Sequence, residues 1–284
     1  MDFILQVLII IGIHSILTMS LNYVAGFTGL MSINHAAFYG MGAYATAILS
    51  TQYDWNFFLT IPVGIVIAGI VAWLVSFPML KMKEDSFVLV SLGFAIIMFN
   101  IMQNWTDLTK GPLGIKGVQA PMLGDFSFFA KPLFLVLVIV AAALTYWFLN
   151  RILKTPYGTI LKGARENETV ARVNGHNVVS YQRSAFVVGA IFAAIAGAFI
   201  ASFISFVNPK AFELIISVYL LIMIILGGMA SLPGSILGAF IMLTSLEVLR
   251  FAGVSAEWQQ ILYGFILIVI MFFRPQGILG KYKI

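Results

Sequence analysis

The chain has 284 residues, of which 61% are hydrophobic and only 10% are charged, and its mean hydropathy is +1.01. A water-soluble globular domain needs a charged surface that this composition does not supply, so the chain is predicted to be an integral membrane protein. The formal net charge of +5 is typical of Lys and Arg retained on the cytoplasmic side of a membrane and does not indicate a nucleic-acid partner.

Apolar segments recur along the whole chain, and each is long enough, or nearly long enough, to cross a bilayer core, which takes roughly 20 helical residues. In chain order they are approximately 3–24, 30–49, 57–80, 87–102, 132–149, 185–206, 214–227, 236–249 and 260–273. The sequence therefore predicts an all-α polytopic bundle of about 8–10 spans, with discontinuous or re-entrant helices, formed by residues 1–284 as one transmembrane domain.

Positive charges divide the connections between these segments into two sets. The set predicted to face the cytoplasm comprises the connection with Lys81 and Lys83, the long connection of about 150–183, and the tail with Arg274, Lys281 and Lys283. The set predicted to face outward comprises 50–56, 104–131 and 207–213. Full crossing by every segment then places Met1 outside.

Two stretches, Gly29 to Asn34 and Gly228 to Pro233, share a Gly and a Ser at the same offset, and each opens an apolar run. Paired interrupted helices often build the midplane site of a transporter, because a broken helix exposes backbone groups to a polar cavity. The alternative is that the glycines permit close helix packing, as in the motif Gly234-x-x-x-Gly238.

Polar residues within the apolar runs are the candidates for a substrate pathway, because such side chains are costly in lipid and usually face a protein interior or a wet cavity. Asn34 and His35 either hydrogen-bond a passing zwitterion or bond across to a neighbouring helix. Asn100, four residues before Asn104, either lines the outer end of the fourth span or belongs to a solvated helix end. Asn22 is interpreted as structural.

The sequence indicates no catalytic, metal or cofactor site. It has no Cys, its three histidines (His14, His35 and His176) fall on different segments, and it contains neither an H-E-x-x-H nor a G-x-x-x-x-G-K-[ST] motif. We therefore expect that the chain is not an enzyme, that it needs no cofactor, and that any ATP is bound by another subunit.

The connection of about 150–183 is long, polar and basic in a chain that is otherwise nearly all apolar. Its good helix formers, with Gly175 as a stop, predict one short helix over about 159–174. Charge pairs join Arg165 to Glu168 and Glu168 to Arg172 at helical spacing, which suits a helix lying on a protein partner. A helix resting on lipid headgroups is the alternative.

The chain contains five ordered blocks that together extend over nearly its whole length. They are LNYVAGFTGLMSINHAAFYGMGAYATAIL from Leu21 to Leu49, DSFVLVSLGFAIIMFNIMQNWTDLTKGPLGIKGV from Asp85 to Val118, GARENETVARVNGHNVVSYQRSAF from Gly163 to Phe186, NPKAFELIISVYLLIMIILGGMASLPGSILGAF from Asn208 to Phe240, and RPQGILG from Arg274 to Gly280. In these blocks the chain resembles the membrane permease subunits of ABC importers for branched-chain amino acids, the high-affinity leucine/isoleucine/valine system.

The resemblance implies a cytoplasmic coupling segment that docks on the ATP-binding subunit, with the residues Arg165, Glu166, Asn167, Glu168, Ala171 and Gly175. It also implies several partners: two ATP-binding cassette subunits, a second homologous permease chain and an extracytoplasmic substrate-binding protein. The implied location is the bacterial cell (inner) membrane, and the implied cargo is a branched-chain or other hydrophobic amino acid.

The cargo is the open part of this interpretation. Relatives commonly have a glycine where this chain has Asn34, and Lys110 and Leu113 also depart from the common pattern. A urea or short-chain amide importer of the same broad family therefore stays an alternative, and a stand-alone channel or facilitator is another.

Overall fold

The computed structural model describes residues 2–82, 84–124, 126–273 and 276–280. The long helices in these ranges are α1 (Asp2–Thr28), α2 (His35–Gln52), α3 (Phe57–Met79), α4 (Glu84–Asn104), α6 (Lys131–Leu153), α9 (Val178–Ile204), α10 (Leu214–Gly227), α11 (Leu232–Phe251) and α12 (Ala256–Phe273). The shorter helices are α5 (Thr106–Thr109), α7 (Pro156–Glu166) and α8 (Glu168–Val173). Strands of two residues each, β1 (Ile115–Lys116), β2 (Met122–Leu123), β3 (Phe126–Ser127) and β4 (Phe206–Val207), form the antiparallel pairs β1 with β4 and β2 with β3.

Seven helices in the described ranges are long and apolar enough to cross a membrane, namely α1, α3, α4, α6, α9, α10 with the turn before it, and α11. Helix α2 is rich in Gly, Ala and Tyr and does not meet that criterion of apolarity, although it is buried in the bundle from His35 to Ala47. The predicted class, an all-α polytopic bundle, is confirmed.

The centre of the bundle is the crossing of α2 and α9, which is set by small residues. A Cβ atom added to Gly42 would lie 2.0 Å from the carbonyl oxygen of Ala194, and one added to Gly197 would lie 2.0 Å from the carbonyl oxygen of Tyr39. The two backbones therefore touch at this crossing, where dispersion contacts and close approach stabilise helix pairs in lipid.

Close packing also joins α10 to α11, as the small-residue motif predicted. A Cβ atom at Gly238 would lie 1.9 Å from the carbonyl oxygen of Met223, and one at Gly234 would lie 2.6 Å from that of Gly227. The packing alternative for these glycines is confirmed at α11.

One end of the bundle gathers the three connections that were predicted to face outward. Strand β1 pairs with β4, which joins 104–131 to the start of 205–213. Gln119 Nε2 donates to Asp54 Oδ1 at 3.1 Å, and Asn56 Nδ2 donates to the carbonyl oxygen of Met122 at 2.6 Å, so that 50–56 joins the same end. Asp2 lies here too, in a cavity that it shares with Lys131.

The opposite end gathers the basic connections. One cavity is lined by Lys81 and Met82 together with Arg165 and Arg172, which places the α3–α4 connection beside the long basic connection. Lys83, Arg274, Lys281 and Lys283, to which the same side was assigned, lie outside the described residues. The grouping of the other charges agrees with the prediction, so this end is called the inner end.

Several helix boundaries differ from the predicted ones, and two of the differences bear on the candidate site. Helix α2 begins at His35 and not near Leu30, because residues 29–34 are non-helical. The single helix predicted over 159–174 is two helices, since Asn167 adopts an extended conformation (φ −157°, ψ 100°) and its side chain accepts a hydrogen bond from Val170 N as the N-cap of α8.

Candidate functional site

The connection between α1 and α2 breaks the helical backbone inside the membrane-spanning part of the bundle. His35, the first residue of α2, contacts Ser20 of α1, and their Nε2 and Oγ atoms are 2.7 Å apart. Ser20 lies five residues from the middle of α1, which corresponds to about 8 Å along its axis. That distance is well within the half-thickness of a bilayer core, roughly 15 Å. We call residues Gly29–Asn34 the first break.

Backbone amides at the first break are held by serine hydroxyls from other helices. Ile33 N donates to Ser91 Oγ of α4 at 3.0 Å, and Ala36 N donates to Ser217 Oγ of α10 at 3.0 Å. Both serines are fully buried. The start of α2 therefore presents N–H donors in the bundle interior, where the helix dipole also favours negative charge.

Two side chains of the first break are buried without being satisfied. Asn34 and Ser32 are each 0% exposed, and no described residue offers a hydrogen-bond partner to Asn34 Oδ1 or to Ser32 Oγ. The amide nitrogen of Asn34 has only a long contact, 4.0 Å, with the sulfur of Met79. Leaving such groups unpaired costs about 1–3 kcal/mol each.

The second break, Gly228–Ser231 between α10 and α11, differs from the first because a buried asparagine bonds its backbone. Asn22 of α1 donates from Nδ2 to the carbonyl oxygens of Gly228 and Ser231, each at 3.1 Å, and to Ser235 Oγ at 2.7 Å. Its Oδ1 accepts from Ala230 N at 2.9 Å. Asn22 is thus structural, as interpreted from the sequence.

A cavity of about 600 Å³ opens at the inner end and reaches the first break. We call it the inner cavity. Its walls come from the end of α1 and the first break, from the α3–α4 connection and the start of α4, and from α7, α8 and α9. The lining residues are Thr28, Gly29, Leu30, Met31, Leu80, Lys81, Met82, Phe87, Val88, Ala164, Arg165, Glu166, Glu168, Arg172 and Gln182. Met79, which contacts Asn34, immediately precedes Leu80 of this wall.

The coupling segment, α7 with α8, holds the inner end of α1 through two cations. Arg165 donates from a guanidinium nitrogen to the carbonyl oxygen of Gly26. The ammonium of Lys162 lies 5.8 Å from the centre of the Phe27 ring. Cations are favoured at a helix C-terminus, where the last carbonyl groups lack helical partners, so these two residues attach α7 to α1.

The opposite face of the coupling segment is exposed. Asn167 is exposed there, and so are the apolar side chains of Val170 (55%) and Val173 (83%) on α8, whereas the exposed Glu166 borders the inner cavity. Glu168 forms a 2.5 Å ion pair with Arg172, as the helical spacing predicted. An exposed surface that mixes polar and apolar side chains outside the spans is suited to contact with a protein.

The six residues predicted to couple the chain to an ATPase fall on both faces. Arg165 faces α1, and Ala171 is buried beside Ala164 and Val178. Glu166, Asn167 and Gly175 are exposed, and Glu168 is half-buried. The structure thus divides the predicted set into Arg165 and Ala171, which make buried contacts, Glu166 and Glu168, which line the inner cavity, and Asn167 and Gly175, which are exposed.

The three pathway candidates are not brought together. Asn34 and His35 are neighbours in the buried interior, whereas Asn100 is exposed on α4 and its Nδ2 donates to the carbonyl oxygen of Ile96 at 2.8 Å. The serines that complete the first break, Ser91 and Ser217, were missed in the sequence. Serine is ordinary in transmembrane helices, and the only available signal was its polarity within an apolar run.

In the described part of the chain, no group of three or more His, Cys, Asp or Glu side chains is arranged to hold a metal ion. What the site offers is a polar break in an apolar bundle, a cavity below it and a charged segment attached to the same helix.

Comparisons with known proteins agree on one family. The family model described as "Branched-chain amino acid transport system / permease component" matches residues 3–271. The high-affinity branched-chain amino acid transport system permease protein LivM of Escherichia coli (strain K12) is 31% identical, over 94% of this chain and 68% of that protein. The corresponding LivH protein of the same organism is 25% identical, over 94% and 91%. The probable LivM permease of Methanocaldococcus jannaschii is 23% identical, over 99% and 94%. No solved structure gives a significant match.

Proposed function

Because the chain belongs to the branched-chain amino acid transport system permease family, we propose that it is the membrane subunit through which an ABC importer carries branched-chain amino acids across the bacterial cell (inner) membrane. The names of the relatives support branched-chain amino acids over urea or short-chain amides as the cargo.

The observation that carries the proposal is the two-faced coupling segment. Its inner face is attached to the end of α1 through Arg165 and Lys162, and its outer face exposes Asn167, Val170 and Val173. A partner that grips the outer face displaces the end of α1, and therefore the wall of the inner cavity, as it moves. The sequence has no phosphate-binding loop, so the partner supplies the energy of ATP.

The proposed cycle is alternating access without chemistry in this chain. Two ATP-binding cassette subunits close on ATP and move the coupling segments of two related permease chains, and the bundles change between outward-open and inward-open forms. An extracytoplasmic binding protein delivers the amino acid to the outer end, where connection 104–131 is the longest. That the family includes both LivM and LivH proteins supports a pair of different permeases.

Co-purification and uptake test the proposal together. The tagged chain is expressed with its second permease, the ATP-binding subunits and the binding protein, and leucine uptake is measured in reconstituted vesicles. Glu166→Lys combined with Glu168→Lys is expected to reduce both the recovered ATPase and the uptake, because both carboxylates lie on the coupling segment. Lys116→Glu, an exposed charge reversal at the outer end, serves as the matched control for ATPase recovery.

Competition identifies the cargo in the same vesicles. Unlabelled isoleucine and valine should compete with labelled leucine, whereas urea should not. A chain that never associates with an ATPase, or a double charge reversal that leaves leucine uptake intact, would contradict the proposal.

A further inference from the structure

The start of α2 lies inside the bundle and not at its surface. His35 contacts Ser20, about 8 Å from the middle of α1, so the first turn of α2 lies within the hydrocarbon layer. The positive end of the helix dipole is therefore placed in a medium of low polarity, where it interacts strongly with an anion.

The amides at this helix start donate to serine hydroxyls, which a ligand could replace as hydrogen-bond acceptors. Ile33 N and Ala36 N each donate to a hydroxyl, of Ser91 and Ser217 respectively, and not to a backbone carbonyl. A hydroxyl rotates and is a neutral acceptor, whereas a carboxylate is charged and accepts roughly twice as strongly. Both amides are therefore suited to a carboxylate.

Acceptors without donors lie beside these amides. Asn34 Oδ1 and Ser32 Oγ are fully buried, and none of the described residues donates to them. A permanent orphan of this kind is expensive in a membrane interior. Asn22, an equally buried asparagine on α1, uses its oxygen and both amide hydrogens at the second break, so burial of an asparagine in this bundle does not by itself leave it unpaired.

We propose that the first break is the membrane site for the charged head of a zwitterionic α-amino acid. The carboxylate accepts from the amides of Ile33 and Ala36 in place of the two serine hydroxyls, and the ammonium donates to Asn34 Oδ1 and Ser32 Oγ. This inference rests on the proposed transport function and goes beyond it by assigning the site and the part of the substrate that is bound there.

The site is closed in this structure and lies next to the inner cavity, through which the amino acid would leave toward the cytoplasm. Asn34 has no exposed surface, and its nearest polar contact is Met79, next to Leu80 of the inner cavity. Leu30 and Met31 of the first break line that same cavity. A shift of this wall therefore joins the head-group site to the inner cavity.

The test separates a binding role from a structural role by measuring stability and transport on the same variants. The complete complex is reconstituted with Asn34→Leu, with Ser32→Ala and with the matched control Asn22→Leu. Thermal unfolding of the purified complex, ATP hydrolysis and uptake of radiolabelled leucine per ATP are measured for each. Ser32→Ala removes one oxygen atom and leaves almost no cavity, so it still tests the site if Asn34→Leu prevents the complex from folding.

The expected pattern is asymmetric. Asn34→Leu and Ser32→Ala remove unpaired polar groups, so the unfolding midpoint stays level or rises, while leucine uptake per ATP falls by roughly tenfold or more for Asn34→Leu and by a smaller factor for Ser32→Ala. Asn22→Leu leaves several buried groups unpaired, so its unfolding midpoint falls by several degrees.

Two results overturn the inference. One is normal uptake per ATP in both first-break variants, and the other is a loss of stability in both that matches Asn22→Leu and accounts for the whole change in uptake. Failure of the wild-type complex to show ATP-dependent leucine uptake would contradict the proposed function itself, and with it this inference.

Discussion

Single polar residues in this bundle differ in how completely they are bonded, and the proposed site contains the less completely bonded of two buried asparagines. Asn22 makes four hydrogen bonds to the second break and its surroundings, whereas Asn34 Oδ1 has no partner in the described part of the chain. Proteins retain unsatisfied or strained groups chiefly where a ligand or a second conformation uses them. The two asparagines are indistinguishable by burial alone.

Arg165 is predicted to transmit the movement of the coupling segment to α1. Arg165→Gln removes the cation that binds the carbonyl oxygen of Gly26, so ATP hydrolysis should continue while leucine uptake per ATP falls by roughly tenfold. Arg165→Lys should recover part of the uptake, since an ammonium also donates to a carbonyl. Arg172→Gln, which breaks only a surface ion pair, is the control. Equal uptake per ATP in Arg165→Gln and wild type would refute this role.

Gly197 is predicted to be indispensable for the α2–α9 crossing. A methyl group there meets the backbone at Tyr39 O (2.0 Å) and Ala43 N (2.8 Å), so Gly197→Ala should destabilise the fold by about 1–3 kcal/mol. Gly93→Ala on α4 is the matched control, because a Cβ at Gly93 has no atom within 4 Å. Denaturation in detergent micelles measures both, and equal midpoints for the two variants would be the contrary result.

At the scale of elements, the positions of the membrane helices could be predicted from apolar runs, but the start of α2 could not. Leu30, Met31 and Ile33 continue the apolar run into the first break, and hydropathy does not distinguish helical from extended backbone. The helix starts at His35 because amides there bond to Ser91 and Ser217, which are distant in sequence.

In the coupling segment, too, the sequence did not predict where one helix ends and the next begins. Its residues favour one helix over 159–174, yet Asn167 turns away to cap α8, and the tendency of Asn to occupy N-cap positions was the available signal. Asn34 and His35 could be singled out because they are polar within an apolar run, but which atoms are paired depends on the packed structure.

The outer face of α8 is predicted to be the ATPase contact, and its apolar residues should matter more than its charges. Val173 is 83% exposed, so Val173→Glu should leave the fold intact and reduce the amount of ATPase that co-purifies. Thr159→Glu, which adds the same charge to an exposed position on the first turn of α7, is the control. Undiminished ATPase recovery with Val173→Glu would place the contact elsewhere.

At the scale of the whole molecule, two sets of connections lie at opposite ends of the bundle, and we expect the coupling segment to face the cytoplasm. The chain has no cysteine, so single introduced thiols report sidedness directly. Asn167→Cys should react with an impermeant maleimide only after the membrane is opened, and Met122→Cys should react in intact spheroplasts. The reverse pattern would invert the topology and remove the ATPase contact.

The central claim is that this bundle moves an amino acid only when a partner hydrolyses ATP. The direct measurement is leucine uptake into proteoliposomes containing either the chain alone or the complete complex, with and without ATP inside the compartment that faces the coupling segment. We predict uptake by the complete complex with ATP and no leucine flux through the chain alone. Passive leucine flux through the chain alone, without ATP or partners, would contradict it.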